Sequence, residues 1–354
     1  MSALLYLAEP KTNVCLSGHA LAVGRENADI RPEDLCPESL EQPAERRFPL
    51  DSDDLEALAL LGGVHITANA LHECLDRGIA VAWLSRGGRM RGRAVPALPR
   101  CADLRLAQYR ECTHRGHALC RARRLVSAKM ASAATLLKSV NDNHPSPELR
   151  SAIASLREGI ERAGGAADLD CLRGHEGAGA RAYFAGLRLA FRGAIRFQGR
   201  NRRPPTDPAN ALLSLGYVLL SIRIASLLEA RGLDPALGFF HEIHPGRDSL
   251  ALDLLEEFRH PVVDRTILRL CNLGTLAPEH FEPDTERPGG VRLTRKGQKI
   301  FFPAWEASLR TPIRELGASD PIAPVDLLVR QIDALAMSLR RGDPDAYNPF
   351  QAFD

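Results

Sequence analysis

Between Gly238 and Arg265 the chain reads GFFHEIHPGRDSLALDLLEEFRHPVVDR. His241 closes an aromatic-apolar run, Pro245-Gly246 turns the chain, and an amphipathic helix starts at Asp248 or Ser249, either of which can cap it. Asp253 and Glu256 stand three apart, so they project from one face of that helix. The helix also carries Leu250, Leu252, Leu254, Leu255 and Phe258, which predicts that it is largely buried. Buried acids require a cation or hydrogen-bond donors. An imidazole folded back over two carboxylates is an arrangement suited to a metal ion.

A second fragment, GHEGAGARAYFAGL at 174–187, offers a further acid. Glu176 sits among Gly174, Gly177, Ala178, Gly179 and Ala180, small residues that let a helix press close to a neighbour and leave room for the carboxylate. Glu176, His241 and Glu256 together form an oxygen-rich set that favours Mg²⁺ or Mn²⁺, with the single nitrogen tilting toward Mn²⁺. Spacing alone leaves other readings open. Glu256 could pair with Arg259 at i+3, and His244 is an alternative imidazole. Glu257 points about 100° away from Glu256 around a helix.

Cys112, His114, His117 and Cys120 resemble a zinc cluster. On one helix they fall at about 0°, 200°, 140° and 80° around the axis, too spread to converge on an ion. Arg196, Arg200, Arg202 and Arg203 lie in a loop ending at Pro204-Pro205 and are candidates for phosphate contact. Arg292, Arg295, Lys296 and Lys299, on an expected basic hairpin at 288–302, are a second group. Arg247 and Arg259, flanking the His241 segment and its helix, complete the candidate phosphate-contacting set. No P-loop, dinucleotide fingerprint or GxSxG occurs, which excludes those reaction classes.

The elements that must position these groups follow from the rest of the chain. Its 354 residues suggest about two domains. A 45% hydrophobic content supports a real core, and a formal charge of +2 means that nucleic-acid binding must rest on local basic patches. Eight cysteines without a CxxC pair read as the buried thiols of a reduced, intracellular protein, so a cytoplasmic location is expected. The opening MSALLYLAEPKTNVCLSG is not expected to be a signal peptide, and no stretch is expected to reach the ~20 apolar residues of a membrane span.

Residues 1–96 read as mostly β, with strands at 4–8, 13–17, 20–23, 64–67, 79–84 and 90–95. A surface loop is expected at 25–49, a short helix at 51–61 and another helix at 68–77. Residues 97–102 read as a linker. From 103 to 341 the periodicity is helical, and the dense apolar helix at 207–230 should be central in a bundle. Residues 342–354 read as a polar, mobile tail. The fold class is therefore α+β: a small β-rich N-terminal domain joined to a larger all-α C-terminal domain.

Three segments carry a family resemblance: EGxxARxYF at Glu176–Phe184, NALLSxGYxLL at Asn210–Leu220 and GFxHxxxxGRxSLALDLxEEFR at Gly238–Arg259. LYLAEP near the start and GIAVAWLSRGGRMRGRAVP at Gly78–Pro96 fit the same pattern. The sequence resembles the CRISPR adaptation integrase, the catalytic subunit that inserts new spacers into a CRISPR array. The resemblance implies metal ligands at Glu176, His241 and Glu256, with Asp253 as a supporting or second-metal acid. It implies transesterification of double-stranded DNA, with prespacer and CRISPR repeat as substrates. It also implies a homodimer and a small ferredoxin-fold adaptor dimer as partner, and leaves open whether an iron–sulfur nuclease trims the prespacers. A stand-alone metal-dependent nuclease acting on branched DNA and a non-catalytic DNA-binding scaffold are the rival readings.

Overall fold

The computed structural model describes residues 3–8, 12–25, 46–50, 55–97 and 101–353. They divide into two compact units, Met1–Leu98 and Pro99–Asp354. The first unit holds strands β1 (Ala3–Leu7), β2 (Thr12–Ser17), β3 (Ala20–Arg25), β4 (Arg46–Pro49), β5 (Leu55–Leu61), β6 (His65–Ile66), β7 (Ala80–Leu84) and β8 (Met90–Ala94), with helix α1 (Ala68–Asp76). One sheet has the order β1-β5-β7-β8 and the other β4-β3-β2-β6. Val14, Leu21, Leu58, Leu60 and Val81 from the sheets bury against Ala70 and Cys74 of α1. Thr67 caps that helix by accepting from the Ala70 amide.

The expected helix at 51–61 is wrong where it can be seen. Leu55–Leu61 is a strand running parallel to both β1 and β7. Ala57 through Leu61 are all buried, so both faces of the strand are covered. A central parallel strand reads as one apolar run, and the run of Leu and Ala was mistaken for helix propensity. Burial between neighbours outweighs the few tenths of a kcal/mol per residue at stake in propensity. Arg46–Pro49, inside the expected loop, pairs with β3. The remainder of that loop, residues 26–45, lies outside the described residues, as do residues 51–54 and 98–100.

The second unit is helical: α2 (Ala102–Thr113), α3 (Arg115–Asn143), α4 (Pro147–Gly164), α5 (Leu169–Ala190), α6 (Pro208–Ala230), α7 (Ser249–Phe258), α8 (Arg265–Asn272), α9 (Arg295–Arg310) and α10 (Pro324–Arg341). Two short antiparallel pairs accompany them, the hairpin of β9 (Phe281–Pro283) with β10 (Val291–Leu293), and β11 (Arg314–Glu315) with the distant β12 (Ala352–Phe353). Small residues bring α3, α4 and α5 together. A Cβ at Gly159 would lie 2.8 Å from Met130 Sδ, and one at Gly186 would lie 2.6 Å from Leu137 Cδ1. The glycines beside Glu176 behave differently. Gly174 faces open space, whereas Gly179, one turn on, abuts Met130.

α6 is buried on most sides and forms the centre of this unit. It is long and apolar enough to cross a membrane by length and composition, contrary to the expectation from sequence, but 61% of its most apolar window is covered by protein. Two further expectations are corrected. The basic hairpin at 288–302 is split, because β10 ends at Leu293, Thr294 caps α9 and the chain turns helical at Arg295. The tail packs: Tyr347 and Phe350 are buried, Phe350 stacks on Phe258, and β12 pairs antiparallel with β11.

Candidate active site

Glu176 comes from α5 and Glu256 from α7. Their carboxylates meet at Lys129 of α3, whose Nζ lies 2.5 Å from Glu176 Oε1 and 2.9 Å from Glu256 Oε2. The Lys129 and Glu256 side chains are 9% and 8% exposed, and Glu176, at 23%, faces the opening. Arg259 adds contacts of 3.2 Å to both Glu256 oxygens. Burial by itself would raise the Glu256 carboxyl. Lys129, Arg259 and His241 outweigh that and hold it well below the usual carboxylate range. The acid is therefore ionised and surrounded by positive charge.

His241 is placed by Asp253. Oδ2 of Asp253 accepts from the amides of Phe239 (2.6 Å) and Phe240 (3.0 Å). Oδ1 accepts from the His241 amide at 3.0 Å and lies 2.6 Å from His241 Nδ1. Gly238 makes this possible, since a Cβ there would lie 2.6 Å from Asp253 Oδ2. With about four acceptor sites engaged and 2% of its surface exposed, Asp253 has no lone pair to offer a metal. It orients the imidazole and leaves Nε2, on the far side of the ring, as the nitrogen able to ligate. An Arg173–Glu242 ion pair at 3.1 Å ties the residue after His241 to α5, one turn before Glu176.

Behind Glu256 the helix widens into a π turn, Arg259–Asp264. Pro261 lacks the N–H that a regular α-helix needs there. The turn buries Asp264, which receives Tyr183 Oη (2.6 Å) and Tyr217 Oη (2.5 Å) and lies 2.7 Å from His260 Nδ1. Arg259 lies over the Tyr217 ring at 4.3 Å. Burial would raise Asp264, but His260, Arg259 and Tyr183 more than offset it and its pKa is lowered. The network fixes the cation beneath Glu256.

Among the described residues no three His, Cys, Asp or Glu side chains form a closed metal cluster. The two glutamates converge on the Lys129 ammonium instead, and His241 lies close enough to help lower the Glu256 carboxyl. The position between the acids thus already accommodates a cation, and two carboxylates with one imidazole are the donors a hard divalent ion takes. The alternatives left open by spacing separate here. His244 is exposed, with Nδ1 against Pro245 O. Glu257 points away, accepting from Tyr347 Oη and from the Phe350 amide. The zinc-like residues also disperse. The helix breaks at His114, but Cys112 donates to Leu237 O, His117 meets Glu111 and Cys120 meets Asp345.

Residues 5–307 match the family described as CRISPR associated protein Cas1. The chain belongs to the Cas1 family. A relative from Chlorobaculum tepidum, a CRISPR-associated endonuclease Cas1, is 34% identical over 319 residues, 88% of this chain and 92% of the relative. A Cas4 exonuclease/Cas1 endonuclease fusion from Geobacter sulfurreducens is 34% identical over 319 residues. That covers 87% of this chain, which spans about half the fusion's length (53%). A casposase bound to its integration product has the same fold, with a TM-score of 0.81 at 21% identity over 97% of this chain and 92% of that one.

In this Cas1 chain the arginines expected on DNA divide into two groups. Arg196, Arg202, Arg203 and Arg247 are exposed, and Arg202 lines the same cleft as Lys129 and Glu176. Arg200 is engaged inside the protein, donating to Asn201 O, Asn210 Oδ1 and Ser214 Oγ. Arg259 is buried on Glu256 and Tyr217, whereas Arg200 is half-buried. Arg295 and Lys296 are exposed in the first turn of α9 rather than on a hairpin, and Arg292 pairs with Glu282 at 2.8 Å. Sequence reading missed Lys129 and Asp264. The available signals were a lone lysine on the apolar face of α3 and a His-Asp pair at i, i+4 in HPVVD.

Proposed function

We propose that this chain is a metal-dependent DNA integrase and endonuclease that inserts prespacer DNA into a CRISPR array. The observation that carries the reading is the pair of glutamates, brought from separate helices to either side of one cation, beside a histidine oriented by a carboxylate. Glu176, Glu256 and His241 would hold Mg²⁺ or Mn²⁺. A bound ion would supply Lewis-acid polarisation of the phosphodiester at that position. Asp253 holds the imidazole ready and excludes its other nitrogen from the site. Arg259 keeps Glu256 ionised, and Arg202 at the cleft supplies charge for a phosphate.

The reaction is transesterification. A DNA 3′-hydroxyl attacks phosphorus at the edge of a repeat, and the bond to the leaving 3′-oxygen breaks. One ester replaces another, so no nucleotide cofactor is consumed. Double-stranded DNA, a homodimer and a small ferredoxin-fold adaptor dimer are the proposed partners. The fused Cas4 exonuclease of the Geobacter relative supports a prespacer-trimming nuclease as a further one.

The test is a leader–repeat plasmid incubated with a 3′-hydroxyl duplex, divalent ion and the adaptor. Joined strands are expected from the wild type, and none from Glu176→Ala or His241→Ala, with melting temperature and duplex binding retained. Cleaved ends without joining would indicate a stand-alone nuclease. Joining at the wild-type rate by either variant would refute the site.

A further inference from the structure

Lys129 has no place in the ligand set, yet its ammonium stands where the two glutamates meet. It rises from an apolar stretch of α3, between Ala128 and Met130 and one turn from Leu125 and Ala133, all of them buried. An ammonium in such surroundings requires charged acceptors, and it has two, Glu176 Oε1 at 2.5 Å and Glu256 Oε2 at 2.9 Å. The carboxylates in turn require a cation to face one another at that separation, because like charges repel strongly where water is excluded. Arg259 satisfies Glu256 from one side only and makes no contact with Glu176 of the kind Lys129 makes.

We propose that Lys129 is the resident counter-ion of the Glu176–Glu256 pair, and that a divalent ion bridges these acids only by expelling the ammonium from between them. Lys129 then sets the metal affinity of the site. This rests on the metal-site reading above. A Mg²⁺ ion ligated by both carboxylates would lie about 2.0–2.1 Å from their oxygens, in the space the ammonium now fills, and two cations cannot share it. The lysine stem is flexible, with four carbons and three rotatable donors. The cleft beside it, lined by Glu176, Tyr183, Phe184 and Arg202, gives the displaced group somewhere to turn. Arg259 remains on Glu256 when the ammonium leaves, so the metal-bound site keeps one of its two positive partners. The device keeps the acids converged in the absence of metal, at the expense of affinity when metal is present.

Calorimetric titration of the full chain with Mn²⁺ alone tests this. Lys129→Met removes the competitor and one positive charge, and is expected to bind Mn²⁺ at least tenfold more tightly than the wild type. Its metal-free melting temperature should fall, and Mn²⁺ should raise that temperature by more than it does for the wild type. Lys129→Gln, which retains a donor, should move in the same direction if the methionine variant folds poorly. Lys129→Arg should bind no more tightly than the wild type. Equal or weaker Mn²⁺ binding by the methionine and glutamine variants, with the wild type binding normally, overturns the role of Lys129 alone. No Mn²⁺ uptake by any of the proteins overturns the metal site and this proposal with it.

Discussion

At the scale of single residues, the site is organised by which side chains are already satisfied. Asp253 accepts three backbone amides and faces an imidazole nitrogen, so its work is to hold a loop. Asp253→Asn would set an amide group against those donors and leave at least one buried N–H unpaired. Each hydrogen bond to a charged group is worth about 1.5–3 kcal/mol. We expect the variant to lose about 2–4 kcal/mol of stability in denaturant unfolding and to join DNA at least tenfold more slowly. A variant of wild-type stability would remove the stapling role. The arginines provide a second contrast. Arg203→Ala should lower the slope of log affinity against log salt by about 0.9 if that side chain contacts phosphate, with no change in melting temperature. Arg200→Ala should lower the melting temperature, because its guanidinium ties the loop to α6.

At the scale of elements, α7 faces two ways. Asp253 and Glu256 look toward the site, while Glu257 reaches into the folded tail and accepts from Tyr347 Oη and Phe350 N. Burial pushes the Glu257 carboxyl up to about 8, against the lowering effect of those two donors. A raised folded pKa contributes stability that is complete below the unfolded value of about 4.3 and is lost as pH rises through the folded value. Between about pH 4.5 and pH 8 the wild type should therefore lose a few kcal/mol that Glu257→Gln does not lose. Melting curves of the two proteins should lie close at acid pH and separate toward alkaline pH, with the wild type falling below the variant. Parallel curves would show that Glu257 does not titrate there. The same helix leads into the π turn, where one proline and one buried aspartate set the direction of Arg259 and so the charge beneath Glu256.

At the scale of the whole molecule, the proposed metal site lies in the helical unit, and the proposed homodimer and adaptor contacts are assigned to the β-rich unit. Sedimentation should show a species of twice the chain mass, and a larger one when the adaptor is added. A monomer at micromolar concentration would overturn the dimer. The two-unit organisation and the order of most elements were readable because periodicity is a local property. Alternation marked β2, β3, β7 and β8, and helical spacing marked much of the region from α3 to α7. β5 was misread because its covering strands are distant in sequence. The tail was misread because its polar composition hides two aromatic side chains that find their pocket only in the folded chain.

By itself the sequence determined the family, through the residue types at 176, 241, 253 and 256 and the pattern around them. It also determined that the acids of α7 would be buried, because leucines surround them. Only the tertiary structure decided that Asp253 orients a ring rather than offering a ligand, that Arg200 and Arg259 are tied to groups of the protein itself, and that Lys129 stands between the glutamates. These outcomes depend on which groups meet across helices far apart in the chain, and low-dielectric surroundings make each such meeting decisive. Spacing along one helix records which way a side chain points, but it cannot record what another helix places opposite it.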